Sequence, residues 1–95
     1  MKITLEEAVT NKKGEEVKEL KLELEKLTGN DLIQAEKEYR LLAPDGGVLA
    51  PEMYSKEYHA LIAARATGVD VEVIKNLPAQ KFAAISMAVQ NFMLS

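Results

Sequence analysis

The C-terminal stretch of the chain is almost free of charge. Lys81 is the only charged residue from Leu77 onward, and Pro78 suits the first position of a helix, so we predict a helix over residues 78–94. Its apolar residues fall on two stripes of a helical wheel, Phe82, Ile85, Val89 and Phe92 on one and Ala83, Met87 and Leu94 on the other. Such a helix either lies at the centre of the core or keeps one face for a partner, and the sequence leaves both open.

Size and charge narrow the class of protein. A chain of 95 residues suits one domain, residues 1–95, which buries roughly 60 to 65% of the surface of its unfolded form. The net charge of -3 argues against binding to nucleic acid or to an anionic membrane, and the lack of Cys excludes disulfides and thiolate metal sites. The longest uncharged run, residues 82–95, is shorter than the roughly 20 residues that span a membrane, and no secretory signal is visible, so we expect a cytoplasmic protein.

An N-terminal β-hairpin is predicted over residues 1–27. Ile3, Leu5 and Val9 occupy odd positions, as in a strand with one buried face. The polar segment 11–14 follows them and ends in a Gly that suits a hairpin turn. The next segment is therefore expected to return alongside the first.

The returning arm, residues 17–27, fits a strand and a helix almost equally well. We choose a strand because apolar and charged residues alternate strictly from Leu20 to Glu25. The change of phase between Val17 and Leu20 then requires a bulge or a twist in the hairpin.

A helix is predicted over residues 28–43, and a loop over residues 44–54. Thr28 can cap the helix, with Asp31 three residues later near its positive end. Pro44 cannot continue the helix, and the Asp-Gly-Gly sequence after it is typical of a turn.

Two more helices are predicted, over residues 55–68 and 70–76. Ser55 and Asp70 are suitable N-caps, and Gly68 is a suitable C-terminal breaker. With the C-terminal helix, these elements predict an α+β fold, in which an N-terminal β-hairpin is followed by a small bundle of three to four α-helices.

The sequence shows no constellation typical of an enzyme. His59 is the sole histidine, and with few carboxylates nearby we expect it on a helix surface. Ser55, Ser86 and Ser95 have no Gly-x-Ser-x-Gly context, and Gly46-Gly47 has no following Lys to make a phosphate loop. We expect no catalytic residues, no metal site and no cofactor.

Several segments, in their order and spacing, carry a resemblance to a known family. They are the polar-turned hairpin, the helix start Leu27-Thr28-Gly29-Asn30-Asp31-Leu32, the segment Ala66-Thr67-Gly68-Val69 and the segment Asn76-Leu77-Pro78-Ala79. Over nearly its whole length the chain resembles the small tail assembly chaperones of contractile and other long-tailed bacteriophages and prophages.

The resemblance implies a protein client. Such chaperones bind the long, helical, aggregation-prone tape measure protein and keep it soluble while tail tube subunits polymerise around it in the host cytoplasm, and they are absent from the mature virion. It implies the tape measure protein and the tail tube protein as partners, and an exposed hairpin edge could also join subunits. A small structural component of the tail or baseplate, and a regulatory binding module, are the alternatives.

The C-terminal helix is the candidate surface for partner binding. Its candidate partner-binding residues are Phe82, Met87, Phe92, Met93 and Leu94. Methionine is flexible and suits a surface that accepts amphipathic helices of varied sequence. For Phe82 and Phe92 we weigh a core position first, because small domains usually bury large aromatic side chains.

Overall fold

The computed structural model describes residues 1–42 and 55–94. The elements in these ranges are β1 (Lys2–Thr10), β2 (Glu16–Lys21), a 3-10 helix (Leu24–Lys26), α1 (Gly29–Leu42), α2 (Lys56–Thr67), α3 (Val71–Lys75) and α4 (Ala79–Leu94). An antiparallel hairpin followed by four helices confirms the predicted α+β fold. The loop predicted over residues 44–54 lies outside the described residues.

The hairpin turn is built by Asn11 and Gly14. The side-chain oxygen of Asn11 accepts hydrogen bonds from the backbone N–H groups of Lys13 and Glu15, both at 2.9 Å. Gly14 has a φ of 83°, a left-handed conformation that other residues adopt only at a cost. The turn also touches the helical layer, since the N–H of Lys12 donates to the carbonyl of Gly68 at 2.9 Å.

The register between the two strands shifts in the middle of the hairpin. Thr4 lies opposite Glu19 and Val9 lies opposite Val17, so the four residues 5–8 of β1 face the single residue Lys18. The sequence requires such an irregularity, and the structure places the extra residues in the first strand. The shift lets both Leu20 and Val17 face inward although their spacing does not fit one regular strand.

The predicted continuation of the second strand to Glu25 is wrong. β2 ends at Lys21, and Leu24–Lys26 forms a 3-10 helix in which the N–H of Leu27 donates to the carbonyl of Leu24 at 3.0 Å. Leu22 and Leu24 are both buried, so the alternating pattern is satisfied by an extended residue followed by a tight turn. The turn redirects the chain from the sheet into α1.

Thr28 and Asp31 form a reciprocal cap at the start of α1. The backbone N–H of Thr28 donates to a carboxylate oxygen of Asp31 at 2.9 Å, and the N–H of Asp31 points back to the Thr28 hydroxyl at 3.4 Å. This arrangement satisfies donors that the first helical turn leaves without partners.

The central element of the fold is α2. Seven consecutive residues, Tyr58 to Ala64, are buried, which means that α2 has neighbours on every side. It packs against α1, α3, α4 and the inner face of the hairpin. Ala60, Ala63 and Ala64 have small side chains, so these neighbours can approach its backbone closely.

Caps at both ends fix the length of α2. The hydroxyl of Ser55 accepts from the N–H of Tyr58 at 3.4 Å, and Gly68, with a φ of 77°, donates its N–H to the carbonyl of Ala64 at 2.9 Å. Asp70 then caps α3 through the N–H of Glu72 at 3.0 Å. The path from α2 through α3 brings α4 back onto α2.

Candidate functional site

One side of α4 is buried against α2. Ile85, Ser86 and Val89 lie on this side. The sequence leaves open whether α4 lies at the centre of the core or has a side outside it. In the structure α2 is the helix enclosed on all sides, whereas α4 contributes one side to the core and has another side outside it.

The opposite side of α4 is exposed and mostly apolar. Met87 is 58% exposed and Leu94 is 52% exposed, and Ala83 and Ala84 are exposed beside them. We call these four residues the exposed α4 face. Gln80 and Asn91 are exposed on the same side, and Asn91 lies one helical turn from both Met87 and Leu94, so two amide side chains accompany the apolar ones.

The five candidate partner-binding residues do not form one surface. Met87 belongs to the exposed α4 face, together with Leu94 near the end of the helix. Phe82, Phe92 and Met93 are half-buried and pack against the core. Exposed apolar area on α4 therefore comes from methionine, leucine and alanine, while the phenylalanines join the helix to the rest of the domain.

A buried hydrogen bond joins α2 to α4. Nδ1 of His59 lies 2.6 Å from the hydroxyl oxygen of Ser86, and the two residues are 1% and 4% exposed. The prediction that His59 lies on a helix surface is wrong, because α2 is buried on all sides and has no surface at that position. A helical wheel drawn for one helix does not predict this burial, because contacts on all sides of a helix arise only from tertiary packing.

The His59 and Ser86 pair is a structural contact in this geometry. Both side chains are closed off from solvent, so their polar atoms need partners within the protein, and each supplies one to the other. In the described ranges, 1–42 and 55–94, no group of three or more His, Asp or Glu side chains is placed to hold a metal ion.

Charged side chains connect the outer helices to α2. The guanidinium of Arg65 lies 3.1 Å from Asp31 and 3.3 Å from Glu38, both on α1. The backbone N–H of Thr28, and then Arg65, hold the pKa of Asp31 below its usual range. On the other flank Lys75 of α3 pairs with Glu57, and this hydrogen bond raises the pKa of the Lys75 ammonium. Ion pairs near the protein surface thus join the helices of the bundle, in addition to the apolar contacts of the core.

Two pockets that share Lys81 as a lining residue make up a groove along β1, and no residue of β2 lines either of them. Its first part, about 320 Å³, lies between residues 1–4 and the start of α4, and includes Ala84 of the exposed α4 face. Its second part, about 430 Å³, has an apolar floor that includes Leu5 and Leu77, with Glu6 and Glu7 among its lining residues. We call the two parts the β1-edge groove. Lys81 lines both, and its ammonium donates to the carbonyl of Thr4.

The fold and the exposed α4 face define a small α+β protein that presents an apolar helix surface. Among the helices in the described ranges, none has both the length and the apolar character needed to cross a membrane. The model of a family described as "Phage tail assembly chaperone proteins, E, or 41 or 14" matches residues 2–94, essentially the whole chain. The chain belongs to this family of phage tail assembly chaperones, which confirms the resemblance carried by its motifs.

Comparisons with curated proteins and with solved structures give no significant match. Family membership gives the chain a role in phage tail assembly, with protein partners in the tail. It also implies that the role is one of assembly and is not enzymatic.

Proposed function

We propose that this protein binds the tape measure protein and keeps it soluble while the tail tube polymerises around it. The observation that carries the proposal is the exposed α4 face, where Met87 and Leu94 are both more than half exposed on a helix whose other side is in the core. An exposed apolar helix face is a suitable surface for the apolar side of a second, amphipathic helix. Family membership supports a client that belongs to the tail.

The composition of the exposed α4 face suits a client with many different segments. Met87 has a flexible side chain that adapts to different partners, and Ala83 and Ala84 allow another helix to approach closely. The face is small, so each contact is weak, at about micromolar affinity or roughly -8 kcal/mol. Several copies on one long client then bind tightly together through effective concentration.

Weak single contacts also permit release. As tube subunits cover the client, each chaperone copy dissociates separately, and the protein acts in the host cytoplasm without remaining in the mature virion. The tail tube protein is a second partner in this scheme, because it takes over the client surface.

The proposal is tested by co-expression with the tape measure protein encoded in the same tail gene cluster. We expect the soluble fraction of the client to rise when the chaperone is present, and the two proteins to co-purify. Mass spectrometry of purified particles completes the test, since a chaperone is absent from them and a tail or baseplate component is retained. An insoluble client together with retention in particles would support the structural component instead.

A further inference from the structure

The outer edge of β1 carries main-chain groups that no described strand pairs with. The N–H of Leu22 donates to the carbonyl of Met1 at 2.8 Å, and Ile3 lies opposite Leu20. Hydrogen-bonded and non-bonded pairs alternate in an antiparallel ladder, so Met1 and Ile3 bond to β2, whereas Lys2 and Thr4 point their N–H and C=O groups outward. The contact between Lys81 and the Thr4 carbonyl agrees with this direction.

The sequence along this edge is complementary to itself. The segment reads Lys2-Ile3-Thr4-Leu5-Glu6. If a second copy of the segment runs antiparallel about Thr4, Lys2 lies opposite Glu6 of the other copy and Ile3 lies opposite Leu5. Lys2 and Glu6 are exposed on one face, and Ile3 and Leu5 are buried on the other, so charge meets opposite charge and apolar meets apolar.

Hydrogen-bond geometry selects the same register. Outward-pointing residues of one copy must lie opposite outward-pointing residues of the other. Lys2 and Thr4 point outward, and the alternation of exposed and buried side chains through Leu5 to Glu6 keeps Glu6 in phase with them at the start of the register shift, so these three residues pair among themselves. A slip of one residue breaks this rule. A slip of two residues in either direction keeps the rule but leaves Lys2 opposite Thr4 or opposite Ala8, without its charge partner.

We propose that a second copy of this chain docks on the outer edge of β1, and that the two hairpins form one four-stranded antiparallel sheet with Thr4 at its dyad. The β1-edge groove leaves this edge open between the strand and α4. In the single copy the Lys81 ammonium donates to the Thr4 carbonyl, and pairing with a second β1 strand replaces this hydrogen bond. Glu7 lines the same groove as Lys81 and can accept its ammonium. The proposal does not depend on the client.

The test is sedimentation equilibrium of the untagged protein alone over a wide concentration range. We expect reversible dimerisation with a dissociation constant of about 10 to 100 µM, because the interface is small. Glu6→Lys places like charges opposite each other at two symmetric positions and weakens the dimer about 10-fold or more. The double variant Lys2→Glu with Glu6→Lys exchanges the charges and restores the dimer to within about 3-fold of the wild type.

Two further variants separate pairing from unrelated effects. Glu16→Lys makes the same change in net charge at an exposed position on the other strand, and leaves dimerisation unchanged. Thr4→Pro removes an outward N–H without removing a bond to β2, and abolishes the dimer while circular dichroism shows a folded chain. A monomer at every concentration overturns the proposal. So does a dimer that Glu6→Lys leaves intact, or one that the double variant fails to restore.

Discussion

Replacing Met87 with Glu separates a binding surface from a core position. The substituted side chain is 58% exposed, and Glu has about the same helix propensity as Met, so only the buried part of the side chain contributes to the loss of stability. Full burial of such a side chain is worth about 1.5 to 3 kcal/mol, so the partial burial here predicts a loss of about 1 kcal/mol and a fall in Tm of about 4 to 8 °C.

The effect on the client is expected to be much larger than the effect on the fold. A docked client helix would bury the new carboxylate without a partner, so we expect single-site affinity to fall by about 10-fold or more. Because several copies act on one client, the loss multiplies along the chain and co-purification fails. The assay is co-purification of the client together with a thermal melt followed by circular dichroism.

Two variants serve as controls for this experiment. Ile33→Glu makes the same kind of change on α1, at a side chain that is 54% exposed, and leaves client binding intact. Ile85→Ala, at a residue that is 1% exposed two positions from Met87, costs about 2 to 5 kcal/mol and lowers Tm by at least about 8 °C. The reasoning is refuted if Met87→Glu binds the client as well as the wild type, or if it unfolds as Ile85→Ala does.

Three further predictions concern how the scaffold behind this surface is held. Ser86→Ala removes the hydroxyl 2.6 Å from Nδ1 of His59 and costs about 1 to 3 kcal/mol in urea unfolding; an unchanged midpoint contradicts a role for the bond. Gly68→Ala forces a side chain into a φ of 77° with nothing within 4 Å of the new Cβ, so backbone strain alone lowers stability by about 1 to 2 kcal/mol, and Gly68→Asn costs less. The lowered pKa of Asp31 means that its stabilising effect is complete at neutral pH and is lost as pH falls through the folded pKa, so Asp31→Asn is less stable at neutral pH and loses less on acidification; equal acid sensitivity of the two proteins contradicts this.

Local patterns predicted the parts of the fold that depend on neighbours in sequence. The Thr28 and Asp31 cap, the Gly68 terminus and the turn at Gly14 each rest on a few adjacent residues whose backbone needs are known. The end of β2 was missed because Leu22 and Leu24 satisfy an alternating pattern in a strand and equally in a 3-10 turn. The alternating pattern indicates which side chains are buried, but it does not distinguish a strand from a 3-10 turn.

The central position of α2 could not be read from the same patterns. Its segment from Tyr58 to Ala64 contains a histidine among small and apolar residues, and its apolar residues alone suggest one buried side. Whether the remaining side is covered depends on where α1, α3 and α4 pack, which no single helix encodes. The burial of His59 and its bond to Ser86 follow from that packing.

The candidate surface was predicted in part. The wheel of α4 separates a stripe with Ile85 and Val89 from a stripe with Met87 and Leu94, and the structure buries the first and exposes the second. The wheel also places Phe82 and Phe92 on the first stripe, and the structure has both half-buried and packed against the core. The outer edge of β1 became visible only once the pairing with β2 showed which main-chain groups point outward.

The mass of the complex formed on co-expression with the tape measure protein is the measurement that decides the proposed function most directly. Light scattering coupled to size-exclusion chromatography gives the number of chaperone copies on each client. A soluble complex with several copies of this chain on one client is the predicted result. A client that stays aggregated beside soluble chaperone, or one that is soluble unaided and elutes without it, contradicts the proposal.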